Sequence, residues 1–217
     1  FPKEDGRAGA NIWSLEPGGS KKELLCGVEP ASLFKSSDGG ATWRKVLYQD
    51  ENTGATDIVM HPRNPDVLWA ATYQRRRAQW GMNGGGPGSN IWKTTDGGNS
   101  WSSIFDDAGT QSIGSVVIQS SNPNVVWVGT GERQSTCVNY FGIGIFRSTD
   151  AGATFQARNG TASAALELSY INSIAIHPTS PDTLLVSGEA FCLPDGTRVG
   201  GGIFKTTDGG ATWVRVK

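Results

Sequence analysis

Leu33-Phe-Lys-Ser-Ser-Asp-Gly-Gly-Ala-Thr-Trp43 returns as Ile91-Trp-Lys-Thr-Thr-Asp-Gly-Gly-Asn-Ser-Trp101, as Ile145-Phe-Arg-Ser-Thr-Asp-Ala-Gly-Ala-Thr-Phe155 and as Ile203-Phe-Lys-Thr-Thr-Asp-Gly-Gly-Ala-Thr-Trp213. The aspartates Asp38, Asp96, Asp150 and Asp208 stand 58, 54 and 58 residues apart. A second marker keeps the step: Pro65, Pro123 and Pro181 each lie between two apolar runs, in Asn64-Pro-Asp66, Asn122-Pro-Asn124 and Ser180-Pro-Asp182. Four copies of one unit make up the chain, and such units bury their apolar faces on their neighbours.

Working outward from the motif, each unit carries four short β-branched or aromatic runs separated by turn residues. In the second unit these are 57–61, 67–73, 90–94 and 100–105, designated strands A to D. No 11-residue window keeps a helical period, and 162–168 is the only candidate for even one turn. Four antiparallel strands in a repeat of about 50 residues match a propeller blade, whereas a solenoid coil is shorter. The expected fold is an all-β propeller of four four-stranded antiparallel blades over residues 11–47, 57–105, 113–157 and 171–216, forming one domain across 1–217.

The repeated stretch has a local job in the turn between strands C and D. The Asp carboxylate accepts hydrogen bonds from the turn's backbone, the hydroxyls add local bonds, Gly takes positive φ, and the terminal ring packs between sheets. Asp38, Trp43, Asp96, Trp101, Asp150, Phe155, Asp208 and Trp213 are therefore read as structural.

Composition excludes other classes. Among 217 residues, 19 Lys and Arg against 20 Asp and Glu leave a net charge of -1, without the basic surplus of an electrostatic nucleic-acid binder. The longest apolar runs, such as 125–128, fall far short of the roughly 20 residues needed to span a bilayer. Eight Trp and eight Phe argue against a disordered chain. Three Cys make no disulfide scaffold, and no Cys/His cluster has zinc spacing. His61 and His177 hold equivalent His-Pro positions, so repeat structure explains both; neither metal nor cofactor is expected. The chain opens at Phe1 without an initiator Met or a signal segment, which reads as a processed chain or a piece of a longer one.

The four motifs resemble Asp-box repeats, also called bacterial neuraminidase repeats. These occur in sialidases, xyloglucan-degrading glycoside hydrolases, sortilin-type sorting receptors and secreted bacterial propellers. More narrowly, 45–57, 73–77 and 83–89 resemble the sortilin-like bacterial propellers often labelled glycosyl hydrolase. The resemblance implies that the box is structural and distant from any active site, and that the protein is secreted or periplasmic. An alternative takes the chain as an excerpt or recombined assembly of family blades without native function.

In an A-B-C-D meander the Asp boxes share one face with the Asn-Pro turns, and the irregular segments fall on the other. The B–C loops are expected at 73–89, 131–143 and 189–201, and the blade connections at 48–56, 106–112 and 158–170. Loops on a rigid scaffold are where binding usually resides. These loops bring Arg75, Arg76, Arg77 and Trp80, then Glu132, Arg133 and Tyr140, then Glu189, Phe191, Asp195 and Arg198. Guanidinium forks suit carboxylates, and aromatic faces suit sugars or peptide side chains. The expected function is a non-catalytic scaffold whose loop face binds a protein segment or glycan. A competing reading has Arg75–Arg77 pairing with Asp50, Glu51, Asp106 and Asp107 to hold a long loop down.

The rival class is a glycoside hydrolase, for which Glu132 and Glu189 are the weak catalytic candidates, since glycosidases need two carboxylates about 5–10 Å apart. The Arg-Ile-Pro signature of sialidases is missing. Cys26 is read as a buried thiol, whereas Cys137 and Cys192 fall on successive B–C loops and can pair as a disulfide. The Asn159-Gly-Thr sequon also fits an exported protein in a glycosylating host. Because the chain runs from a strand A to a strand D, the blades either close edge to edge as a monomer or form an arc that self-associates.

Overall fold

The computed structural model describes residues 11–29, 32–78, 81–110, 112–132, 142–161, 166, 169–193 and 195–217. It is all-β. The first sheet holds β1 (Asn11–Pro17), β2 (Leu24–Glu29), β3 (Leu33–Ser36) and β4 (Arg44–Leu47), in chain order. The second holds β5 (Thr53–Met60), β6 (Leu68–Ala78), β8 (Ile91–Thr94) and β9 (Ser102–Ser103), with β7 (Gly81–Gly84) paired to the far end of β6. The third has β10 (Ile113–Ile118), β11 (Val126–Thr130), β12 (Ile145–Ser148) and β13 (Gln156–Ala157). The fourth has β14 (Ser169–Ile176), β15 (Leu184–Cys192), β16 (Arg198–Thr206) and β17 (Val214–Arg215).

Side chains alternate across each second strand, so every inner blade has two apolar faces. In β6, Leu68 and Ala70 join Leu25, Leu33 and Ile58 in a cluster between the first two sheets. Their neighbours Trp69 and Ala71 join Val116, Val126 and Val128 in the cluster between the second and third. Trp127, from the other face of β11, packs with Ile174, Leu184 and Val186 between the third and fourth. Phe105 meets Phe146 and Phe155 edge to face, at centroid distances of 5.4 and 4.9 Å, an arrangement that adds to burial. Among the described residues no apolar cluster joins the fourth sheet to the first, so the four blades follow one another in an arc.

Cations on the third strands tie each blade to the next. Lys35 Nζ donates to the Gly97 carbonyl at 3.0 Å, and Lys93 Nζ to the Ala151 carbonyl at 2.8 Å. Lys93 also lies over the Trp69 ring, and its burial lowers its pKa against the opposing pull of Asp150. Arg147 stacks over Trp127 in the same way.

All four aspartate turns repeat one bond set. Asp208 accepts from the Thr212 amide at 2.9 Å, the Thr212 hydroxyl at 2.5 Å and the Thr206 hydroxyl at 2.7 Å, while the Gly210 amide donates to Thr206 at 3.0 Å. Asp38, Asp96 and Asp150 repeat it with Thr42, Ser100 and Thr154. The first position of the Gly pair has positive φ in every copy, including Ala151 at 59°, where a side chain is tolerated because the turn bonds fix the backbone.

Two expectations change, and a third is not tested by the described residues. The segments 73–89 and 189–201 are largely regular, because β6 and β15 run on past their expected ends as hairpins with β7 and β16. Asn159 is buried: its Oδ1 accepts from the Ile145 amide at 2.7 Å and its Nδ2 donates to the Ile143 carbonyl at 3.0 Å. The sequon therefore marks a structural amide, with no room for a glycan. The candidate helical turn at 162–168 falls almost wholly outside the described residues.

Hydroxyl and amide donors hold Asp38, Asp150 and Asp208 at about 2, below the ordinary 3.8. A pKa lower in the folded state makes the charged turns stabilising above the unfolded value, and that contribution is lost as pH falls through the folded value. The thermal midpoint is thus expected to drop steeply as pH falls from about 3.8 to about 2. Asp208→Asn should lower the midpoint at neutral pH by on the order of 5 °C and flatten this acid limb; a melting series in which the variant matches the parent at every pH contradicts the assignment. Trp127→Ala, which removes the largest fully buried side chain of the last interface, is expected to cost about 3–5 kcal/mol in chemical denaturation.

Candidate functional site

Each first strand carries a β-bulge at the same place, with the register shifting around Trp13, Thr56, Gly114 and Asn172. Bulges re-aim side chains and concentrate beside functional sites. Here they face the end of the arc that carries the B–C connections. Gly114 is required at its bulge because a Cβ would collide with the Ile171 carbonyl of the next blade.

At this end Trp13, Thr56, Tyr73, Arg75, Ile113, Gly114 and Glu132 line a cleft of about 170 Å³. The Trp13 and Tyr73 rings lie 6.1 Å apart at 47°, forming an aromatic wall. Arg75 reaches back to the first blade, its Nη1 standing 3.3 Å from both Glu29 oxygens, with its side chain almost fully buried. Glu132 is buried at the cleft floor, and Gly84 leaves room there: a Cβ would strike both the Tyr73 hydroxyl and the Glu132 carboxylate. Tyr170 stands near both Glu132 and Arg198. Its pKa is raised by burial first and by Glu132 second, against the opposite pull of Arg198.

Two of the expected residues, Arg75 and Glu132, thus come together. Glu189 does not join them in the cleft lining; its Oε1 accepts from Asn172 Nδ2 at 2.9 Å. Arg76 is exposed on the β6–β7 hairpin, where it pairs with Asn83, and Arg198 is exposed at the start of β16. Arg77 and Phe191 lie within β6 and β15. Trp80, Arg133, Cys137 and Tyr140 lie outside the described residues. Of the four acids expected to pair with Arg75–Arg77, two have other partners: Asp50 accepts from Gln74 and Thr53, and Asp106 from Asn90 and Ser103. Trp13, Tyr73 and Tyr170 were not among the expected site residues. Their signal is positional: Trp13 and Tyr170 belong to first strands, and Tyr73 to a second strand, at the level of the bulge.

A second cavity, a groove of about 600 Å³, follows the first strands of all four sheets, past Glu16, Asp57, Ser115 and Ser173. Burial raises the Glu16 pKa there, with Asp57 adding to the effect.

Solved structures share this architecture. An ancestral GH74 enzyme superposes with a TM-score of 0.71 at 20% identity, over 95% of this chain and 25% of its own. The GH74 xyloglucanase from Xanthomonas campestris gives 0.65 at 16% identity, over 92% and 29%. YCF48 from Cyanidioschyzon merolae gives 0.54 at 13% identity, over 94% and 55%. At these identities the likeness shows the propeller fold alone, and the chain spans about a quarter of the length of the GH74 enzymes. The comparison with curated proteins gives no match. The family model Sortilin-Vps10, described as sortilin, neurotensin receptor 3, matches residues 89–217, more than half of the chain, and the chain belongs to that family.

Proposed function

We propose that the protein is a non-catalytic propeller scaffold that binds a protein segment or glycan through its B–C face, in the cleft between Trp13, Tyr73, Arg75 and Glu132. The observation that carries this reading is the pairing of an aromatic wall with a buried carboxylate in a space of about 170 Å³. Such a wall accepts the apolar face of a sugar ring or side chain, while the carboxylate selects a hydroxyl or amide donor. GH74 xyloglucanase is named for a glycan substrate, which gives glycans a place among the ligands to try. Against hydrolysis, Glu132 is the one carboxylate among the described residues of the cleft lining, and glycosidases act through two. Trp80, Arg133 and Tyr140 are proposed as outer contacts of the same face, with Arg76, Arg77, Phe191 and Arg198. Family membership supports a secreted or periplasmic location, and with it a disulfide between Cys137 and Cys192.

Glycan and peptide arrays probed with the parent protein are expected to return binders whose affinity falls at least tenfold in Trp13→Ala and in Glu132→Gln, with both variants still folded by circular dichroism. Equal binding by parent and variants would sink the site assignment. Turnover of a glucan substrate that Glu132→Gln abolishes would replace the scaffold reading with the hydrolase one. Peptide mapping without reductant should recover the segments containing Cys137 and Cys192 linked; two free thiols refute the pairing.

A further inference from the structure

The cleft is small, and its aromatic walls are set at an angle. Trp13 is half-buried, Tyr73 is buried, and their ring planes are tilted by 47°, so the two rings do not form the flat platform on which a sugar ring stacks. A space of about 170 Å³ beside such walls suits an unbranched chain entering end-on better than a ring laid flat.

The polar end of the cleft is more selective. A Cβ on Gly84 would strike both the Tyr73 hydroxyl and the Glu132 carboxylate, so these two oxygens converge beside the β7 backbone. A carboxylate accepts about four hydrogen bonds and a phenol hydroxyl accepts as well as donates, so contacts that either makes within the fold leave room for a further donor. Glu132 is 6% exposed, and its charge reaches Tyr170, whose pKa it raises after burial has done so. Arg75 is the one cation among the described residues of the cleft lining, and its Nη1 stands 3.3 Å from both oxygens of Glu29, which match its charge. Arg198, the cation acting on Tyr170 in the opposite sense, is exposed at the start of β16.

We propose that the cleft binds the side chain of a lysine in a partner peptide, its apolar stem passing the Trp13 and Tyr73 rings and its ammonium resting between the Tyr73 hydroxyl and Glu132. An ammonium presents its donors around one point, which suits two converging acceptors, and it is drawn to aromatic faces as well as to a carboxylate. The same carboxylate repels an acidic ligand. A neutral stem of equal length fills the space between the walls and gains nothing from Glu132. The inference rests on the scaffold reading above and narrows its ligand from a protein segment or glycan to one chemical group.

The test is the affinity of the parent for a library of short acetylated peptide amides with lysine at the central position, against copies carrying norleucine, acetyl-lysine or glutamate there. The lysine series is expected to bind about tenfold or more tightly than the norleucine and acetyl-lysine series, as for a hydrogen bond to a charged group. Glu132→Gln should bring lysine and norleucine within about twofold of each other. Trp13→Ala should weaken both alike. Gly84→Ala, which fills the space between the two oxygens while keeping both, should lose the preference for lysine, with circular dichroism confirming that each variant is folded. Equal binding of lysine and norleucine peptides by the parent, or a preference that Glu132→Gln leaves intact, overturns the lysine assignment and leaves the cleft a binding site. So does a glucan or glucosamine oligomer that binds in a Trp13-dependent way where no lysine peptide binds. A parent that binds none of these probes overturns the scaffold reading along with the lysine assignment.

Discussion

A four-stranded sheet with apolar side chains on both faces cannot bury itself; it needs a neighbour on each side. That constraint organises this protein. The alternation in Leu68-Trp69-Ala70-Ala71 sends successive side chains into two different clusters, one shared with the blade before and one with the blade after. Packing then sets the order of the blades, and the cations Lys35 and Lys93 fix their spacing by reaching the next aspartate turn. The turns belong to the same system. Their carboxylates hold the third and fourth strands together, and Trp101, Phe155 and Trp213 carry the ends of those turns into the interfaces.

The candidate site is a by-product of this stacking that the chain has elaborated. Repeated bulges open the first strands at one level, so residues from three blades converge on a single cleft: Trp13 from the first, Tyr73 and Arg75 from the second, Glu132 from the third. Arg75 also ties that cleft to the blade before it through Glu29. Losing the guanidinium would break this part-buried ion pair, which ties the cleft wall to the first blade whatever the ligand is. The opposite face carries the aspartate turns, whose carboxylates, hydroxyls and amides bond to one another.

Much of the fold was legible in the spacing of Asp38, Asp96, Asp150 and Asp208, because a turn that depends on a carboxylate, a hydroxyl and positive φ cannot drift in sequence. The site was legible only in part. Arg75 and Glu132 stood out as charges beside strand ends, but the partner of Arg75 lies 46 residues away in another blade, and nothing near Gln74-Arg75-Arg76 points to it. The same polar run looked like a loop, yet it continues β6, because the backbone pairs with Asn83 and Gly84 while Gln74 and Arg75 find part-buried partners in Asp50 and Glu29 and Arg76 stays exposed. Trp13 and Tyr73 read as ordinary strand aromatics until the bulge register placed both rings at the cleft. Asn159 carried a modification signal whose meaning burial reversed.

The central claim is that each blade is stabilised by the neighbours it packs against. Hydrogen exchange of strand amides, measured in dilute solution, tests it most directly. The account predicts the slowest exchange in β6 and β11, whose blades are covered on both faces, and faster exchange in β2 and β15 at the two ends of the arc. Equal protection in all four second strands, or greater protection at the ends, would contradict it.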